Sequence, residues 1–221
     1  MSALAIVGAG PGLGASVARH FGREGFSVAL ISRNQGWADA LASELEEGGV
    51  TARGFSADVR DPRSLSRALE EAGETLGSIE VLQYSPVPQK NFMRPVLEMT
   101  PADLVGPVEF SIYGPVAAVH QVLPGMRFLG NGTILFVNGG SAIRPSPGYA
   151  GTSIAFAGES AYAQMLHEAL SDTDIHVGQL IVDGAISQGD PETDPDVLAD
   201  LLWNMHRDRG QFRRFAREPE A

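Results

Sequence analysis

Ala3-Leu4-Ala5-Ile6-Val7, followed at once by Gly8-Ala9-Gly10-Pro11-Gly12-Leu13-Gly14, decides how the rest of this chain is read. Five apolar residues ended by glycines are too short a run for a helix and read as a strand. Leu13, Val17 and Phe21 then recur every four residues, the stripe of a half-buried helix that stops near Gly25. A glycine turn between strand and helix lets backbone approach a pyrophosphate closely. The helix then points its free N–H groups and the positive end of its dipole at the anion. Glycine is also what any tight turn requires. Its place directly after an N-terminal strand is what turns the reading toward dinucleotide binding. Gly8, Gly12 and Gly14 are spaced Gly-x-x-x-Gly-x-Gly, and no Gly-x-Gly-x-x-Gly can be read from these glycines.

Outward from this turn the strand-then-helix rhythm continues, the mark of a parallel sheet with helical crossovers. Residues 27–31 return to an apolar strand. Trp37, Leu41 and Leu45 give a second helix its inner face, which Gly48 and Gly49 stop, and 50–55 form strand three. Asp61 caps a helix with Pro62 at its first position and Leu65, Leu69 and Leu76 on its apolar side. Strands are expected at 79–82, 133–137 and 176–182, with an Ala- and Gly-rich helix filling much of 149–170. Thr100, Pro101 and Asp103 open another helix in the manner of a capping box, which Pro107 and Pro115 should break or kink. Residues 196–206 read as a short helix and 211–215 as a last edge strand. The proline-rich stretch 85–101 reads as an extended loop over one end of the sheet. The expected fold is therefore one Rossmann-type, doubly wound α/β domain over residues 1–221. Its mostly parallel sheet should have about seven strands, with helices on both faces.

Composition narrows the partners. The 221 residues are 43% hydrophobic and 19% charged, ordinary for a globular protein, and no apolar run is long enough to span a bilayer. The chain opens on the apolar strand itself, without a basic leader or a small-residue cleavage site, so a cytoplasmic location is expected. A net charge of −11 repels phosphate backbones and disfavours nucleic acid. The absence of cysteine excludes thiolate chemistry and cysteine-based metal sites. The five histidines (His20, His120, His167, His176, His206) are too scattered for a metal motif. Arg207, Arg209, Arg213, Arg214 and Arg217 read as a solvated helix end pairing with the acidic surface.

The glycine spacing resembles the cofactor loop of the short-chain dehydrogenase/reductase family, and the strand–helix order resembles that family over nearly the whole chain. The resemblance implies a nicotinamide dinucleotide held by Gly8, Gly10, Gly12, Leu13 and Gly14. Arg33, beside Ser32 at the end of strand two, resembles the basic residue that selects the 2′-phosphate, and no acidic residue stands there for a free ribose hydroxyl. NADP(H) is therefore expected in preference to NAD(H). Asp58 and Val59 resemble the pair that contacts adenine. Ser85 lies in Tyr84-Ser85-Pro86-Val87, where the family has Asn-Asn-Ala-Gly, and Asp183-Gly184 stands where Pro-Gly usually follows strand six.

The family transfers protons with a tyrosine assisted by a lysine four residues later. Bringing a phenol of pKa about 10 toward neutrality takes roughly 4 kcal/mol, which a close ammonium supplies. Counting back without gaps from Ile175 puts Thr152 at the tyrosine's place and Phe156 at the lysine's. Gly139 falls at the place of the serine and Ser111 at that of the helix asparagine. Lys90 is the chain's only lysine and lies in the loop after strand four. Tyr84, Ser141, Tyr149 and Ser153 are the polar groups that could line the cleft as acid or substrate anchor. Tyr149 and Ser153 share a face if their helix begins early enough.

Three functions fit this pattern. One is an NADP(H)-dependent oxidoreductase on a small carbonyl or alcohol substrate, with a rearranged site. The others are a non-catalytic NADP(H)-binding sensor or partner subunit, and a non-redox enzyme using the same cleft. The resemblance also implies a homodimer or homotetramer, and small residues such as Ala155, Ala157, Gly158, Ala161 and Ala163 permit close helix contact.

Overall fold

The computed structural model describes residues 2–217. Seven strands form one sheet in the order β3-β2-β1-β4-β5-β6-β7, every neighbouring pair parallel. They are β1 (Ala3–Val7), β2 (Ser27–Ser32), β3 (Ala52–Ser56), β4 (Ile79–Tyr84), β5 (Gly132–Gly139), β6 (Ile175–Val182) and β7 (Arg213–Phe215). This is the Rossmann-type α/β architecture expected from the sequence, with the parallel pairing complete. β1 is buried along its length. Ala3, Ala5 and Val7 enter the core on one face of the sheet and Leu4 and Ile6 enter the core on the other, so a central parallel strand reads as continuously apolar.

Helices α1 (Leu13–Arg23), α2 (Gln35–Glu47) and α7 (Pro195–Asp208) cover one face. The other is covered by α3 (Pro62–Leu76), α5 (Gly114–Leu129) and α6 (Ala150–Ala169). Local chemistry fixes their starts. Asn34 accepts from the Trp37 N–H at 3.1 Å, and Asp61 accepts from the Arg63 and Ser64 N–H groups. Thr100 and Asp103 form the expected capping box at the start of α4 (Pro101–Val108).

The prolines of this helical run do less than expected. α4 passes into a π-helical turn over Glu109–Tyr113, where the Gly114 N–H reaches the Glu109 carbonyl, and α5 follows directly with Pro115 in its first turn. Proline donates no N–H, and the helical run passes through the wider turn, a bulge where a break or kink was expected. β3 and β7 are shorter than the apolar runs suggested, and the 85–101 loop carries two 3₁₀ turns. Near the C-terminus Arg217 pairs with Glu192 and Arg207 with Asp208 at the surface, as the charge pattern suggested. Arg213 instead turns inward to Gln179 and Ser160.

Candidate functional site

In this strand order the chain leaves β1 on one side for β2 and β3, then returns to its other side at β4. The carboxyl ends of β1 and β4 therefore part to open a crevice, the usual ligand position in open α/β sheets. A cleft of about 960 Å³ lies there. It runs from the glycine turn past Ser85 and Pro86 to the ends of β5 and β6 and the start of α6.

Each glycine of the turn has its own reason. Gly8 has φ +88°, and a Cβ on it would stand 2.4 Å from Pro86 Cα, so the β1 and β4 ends approach backbone to backbone. A Cβ on Gly14 would meet Ala9 Cα at 3.0 Å, which fixes how closely the turn folds onto α1. At Gly10 and Gly12 an added Cβ would meet no closer atom than one at 3.9 Å, so both present bare backbone to open volume in the cleft wall. α1 starts on Gly12 with no side-chain cap and no acidic residue in its first turn, leaving its positive end uncompensated. A cradle of this kind fits a diphosphate, so the residues present suit a dinucleotide.

The structure gathers Gly8, Gly10, Gly12, Leu13, Gly14, Ser85, Ser141 and Tyr149 around this one cleft. Ser85 is held there by a bond from Gln83 Nε2 at 2.8 Å, and Ser141 lies in the 3₁₀ turn Gly140–Ala142 after β5. Tyr149 is 51% exposed and closes the 3₁₀ turn just before α6. Ser32, Arg33, Asp58 and Val59 do not line the main volume. They stand at the β2 and β3 ends, on the side expected for an adenosine. Ser32 Oγ accepts the Asn34 N–H, Asp58 Oδ1 accepts the Arg60 N–H at 3.0 Å, and Val59 is buried. Arg33 is exposed and makes no ion pair among the described residues.

Two of the acid or anchor candidates prove to be structural. Tyr84 is 1% exposed and its hydroxyl donates to the Phe110 carbonyl. Burial, together with the Glu159 and Asp58 carboxyls, pushes this phenol well above its ordinary value. It is a core side chain, because the last residue of β4 faces α5 and not the cleft. Ser153 is also buried. Its Oγ accepts the Ser146 N–H at 3.0 Å and donates to the Ser146 carbonyl at 3.3 Å, stapling the loop before α6. Because α6 begins at Ala150, Tyr149 precedes the helix and does not share a helical face with Ser153.

Thr152 and Phe156, which the ungapped count from Ile175 expected at the places of the family's tyrosine and lysine, line the cleft with a threonine and an aromatic ring. Sequence reasoning missed three features beside them. Asn138, one residue before Gly139, is buried in the same wall. Glu159, one turn beyond Phe156, is wholly buried. Burial pushes its carboxyl up to about 8, against the opposing influence of the neighbouring Asn138 and Ser111 side chains. Its one signal was an acidic residue amid the small residues of α6. The third is an ion pair across the cleft mouth between Arg144 and Asp183, the latter in the place where proline was expected. Among the described residues no cluster of three or more His, Cys, Asp or Glu could hold a metal, and no described helix is long and apolar enough to cross a membrane.

Comparison with known proteins agrees with this architecture. The family profile of short chain dehydrogenases matches residues 2–187. A 2-(S)-hydroxypropyl-CoM dehydrogenase of Xanthobacter autotrophicus is 42% identical over 76 residues, which are 34% of this chain and 30% of that protein. Matches to other curated relatives span about half of their lengths. A short-chain dehydrogenase from Rhodopseudomonas palustris superposes with a TM-score of 0.86 at 26% identity, covering 99% of each chain. L-sorbose reductase from Gluconobacter frateurii, solved with NADPH and L-sorbose, shares the fold at a TM-score of 0.86 and 19% identity, covering 97% of this chain and 94% of its own. With the glycine turn, the seven-stranded parallel sheet and a profile match over most of its length, the chain belongs to the short-chain dehydrogenase family.

Proposed function

We propose that this protein binds NADP(H) across the glycine turn and acts as an oxidoreductase on a small carbonyl or alcohol substrate, with Tyr149 as the proton donor. The observation that carries the proposal is the continuity of the cleft: one volume joins the backbone cradle at Gly10 and Gly12 to Ser141 and Tyr149. The bound nicotinamide supplies or accepts the hydride. The chain's own part is to admit the substrate, exclude bulk water along the apolar wall at Phe156, and deliver one proton as a carbonyl oxygen becomes a hydroxyl. Tyr149 sits at the exposed mouth, where water can replace its proton, and Ser141 faces the same volume. NADPH in the sorbose reductase complex supports the choice of dinucleotide.

A second reading, a non-catalytic NADP(H)-binding subunit, is favoured by Phe156, which puts an apolar ring where the family's lysine would activate a phenol. Titration with NADPH and NADH, followed by a panel of ketones and aldehydes, separates the two. Turnover supports the first reading. Binding without turnover supports the second, and failure to bind either nucleotide overturns both.

Two variants refine the test. Arg33→Asp is expected to weaken NADPH about tenfold to a hundredfold, the worth of one charge-assisted contact to a phosphate, with NADH affinity within about twofold of wild type. Equal losses for both nucleotides would remove Arg33 as the selecting residue. Tyr149→Phe is expected to lower turnover at least about a hundredfold while leaving NADPH affinity in place, the scale of a lost general acid. Unchanged turnover in that variant would exclude Tyr149 as the donor.

A further inference from the structure

Exposed apolar side chains scattered singly over a protein need no explanation, but a group of them around one opening does. Val87 is 81% exposed, Tyr149 51%, and Met93 and Ile186 41% each, and all four line the cleft. They stand on three separate segments: the loop after β4, the turn before α6 and the loop after β6.

Each segment is held by its neighbours. Val87 lies between Pro86 and Pro88, and a residue before proline is confined to extended backbone, which keeps that stretch from coiling into a helical turn. Met93 follows Phe92, whose buried ring packs edge-on against Phe110 with 5.6 Å between centroids. The Phe92 carbonyl oxygen would stand 2.9 Å from a Cβ on Gly151, and the Ala150 N–H donates to the Arg94 carbonyl at 3.0 Å. Glycine at 151 thus lets the segment carrying Met93 lie against the one carrying Tyr149. Across the opening, the loop that bears Ile186 folds on Asp190, whose Oδ1 accepts the Glu192 and Thr193 N–H groups at 2.9 Å. Arg217 pairs with both Asp190 and Glu192 and ties that loop down.

The charged groups of the cleft are already engaged. Arg144 pairs with Asp183 and Arg19 with Glu44 at 3.3 Å, while Asp194 and Asp196 stand at the start of α7, where the helix dipole compensates them. No free cation therefore waits for a carboxylate or phosphate on a substrate. A chain of hydroxyls would give up its water against methyl and thioether groups that return no hydrogen bond. An alkyl chain gains from the same exchange.

We propose that Val87, Met93 and Ile186, beside the ring of Tyr149, form a subsite for an uncharged, unbranched alkyl chain, so that the substrate is an aliphatic carbonyl compound or the matching alcohol. The inference deepens the proposed function and rests on it for the reacting carbonyl.

The test is a chain-length series. Ligand-observed NMR titrations of 2-butanone, 2-hexanone and 2-octanone, with and without saturating NADP+, read the affinity gained per methylene. Affinity is expected to rise about twofold to fourfold per methylene, hence at least about fifteenfold from the C4 to the C8 ketone. The combined replacement Val87→Thr, Met93→Gln and Ile186→Thr keeps the shapes and removes apolar surface, and it should lower the octanone-to-butanone ratio at least about threefold. Phe128→Ser removes a ring that is 93% exposed but does not line the cleft, and it should leave the ratio at its wild-type value. If the triple variant fails to fold, Val87→Thr alone, at an exposed position, is read in its place by the same ratio. A flat series, a ratio unchanged in the folded variant, or a ratio lowered as much by Phe128→Ser would overturn the inference. So would sedimentation showing that the replacements break up an oligomer while the ratio holds, since a second copy of the chain would then be what covers these side chains. NADP+ that fails to bind overturns the proposed function instead, and the ketone series on the free protein still reads the alkyl subsite.

Discussion

Gly8→Ala is expected to cost about 2–5 kcal/mol of folding free energy and to abolish NADPH binding. Two penalties add. An alanine at φ +88° takes up a left-handed conformation worth roughly 1–2 kcal/mol, and its Cβ would stand 2.4 Å from Pro86 Cα. The second contact is with backbone, so it cannot be relieved by a rotamer change, and overpacking of this kind typically costs about 1–3 kcal/mol. The β1 and β4 ends must separate, and the turn that fits a diphosphate separates with them. Gly10→Ala is the control. Its added Cβ makes only an ordinary contact at 3.9 Å, so stability should stay within about 1 kcal/mol of wild type, while the methyl group fills the cradle and NADPH affinity falls. Urea melts and NADPH titrations on both variants check this. A Gly8→Ala protein as stable as wild type would show that the backbone contact with Pro86 is not a constraint.

Glu159→Gln is expected to make the protein more stable at alkaline pH, by roughly 3–5 kcal/mol at pH 9. The carboxyl titrates near 8 in the fold and near 4.5 when exposed in the unfolded chain. Below about pH 4.5 both states hold the proton, and the fold keeps the full contribution of the neutral group. Between about 4.5 and 8 the unfolded chain gives up its proton while the fold retains it, so stability falls by up to about 1.4 kcal/mol per pH unit and then levels off. Glutamine is neutral throughout and removes this slope. His176 and His206 have depressed values caused chiefly by burial, and they act in the opposite sense at lower pH, adding stability as pH rises toward their ordinary range. They are common to both proteins and drop out of the difference. Denaturant midpoints should diverge from pH 5 to about 8 and then hold a constant separation to pH 9, and profiles parallel throughout would mean that Glu159 is ionised in the fold.

Much of the cradle was legible from its residues because its causes are local. Five apolar residues, a glycine turn and a period-four stripe need no distant partner to specify strand, turn and helix, and bare backbone at a helix start has the same chemistry wherever the chain goes next. Arg33 was legible only as a position after β2. Tyr84 and Ser153 were misassigned because sequence gives a polar residue near a strand end or helix start no direction. Tyr84 points at the Phe110 carbonyl because α5 packs under β4, and Ser153 points at Ser146 because the loop before α6 folds back over it.

The order of local signals along the chain thus determined the alternating fold and the glycine turn, since each depends on identity and spacing alone. Tertiary packing alone decided which polar groups share the cleft and which are sealed in the core. It also decided that Arg213, 75 residues after Asn138 in the chain, is joined to that side chain through Gln179, whose Oε1 accepts from Arg213 Nε and whose Nε2 donates to Asn138 Oδ1. A hydrogen-bond chain across three parallel strands exists only once their register is fixed, and a buried carboxyl such as Glu159 shifts only once helices have excluded water from around it.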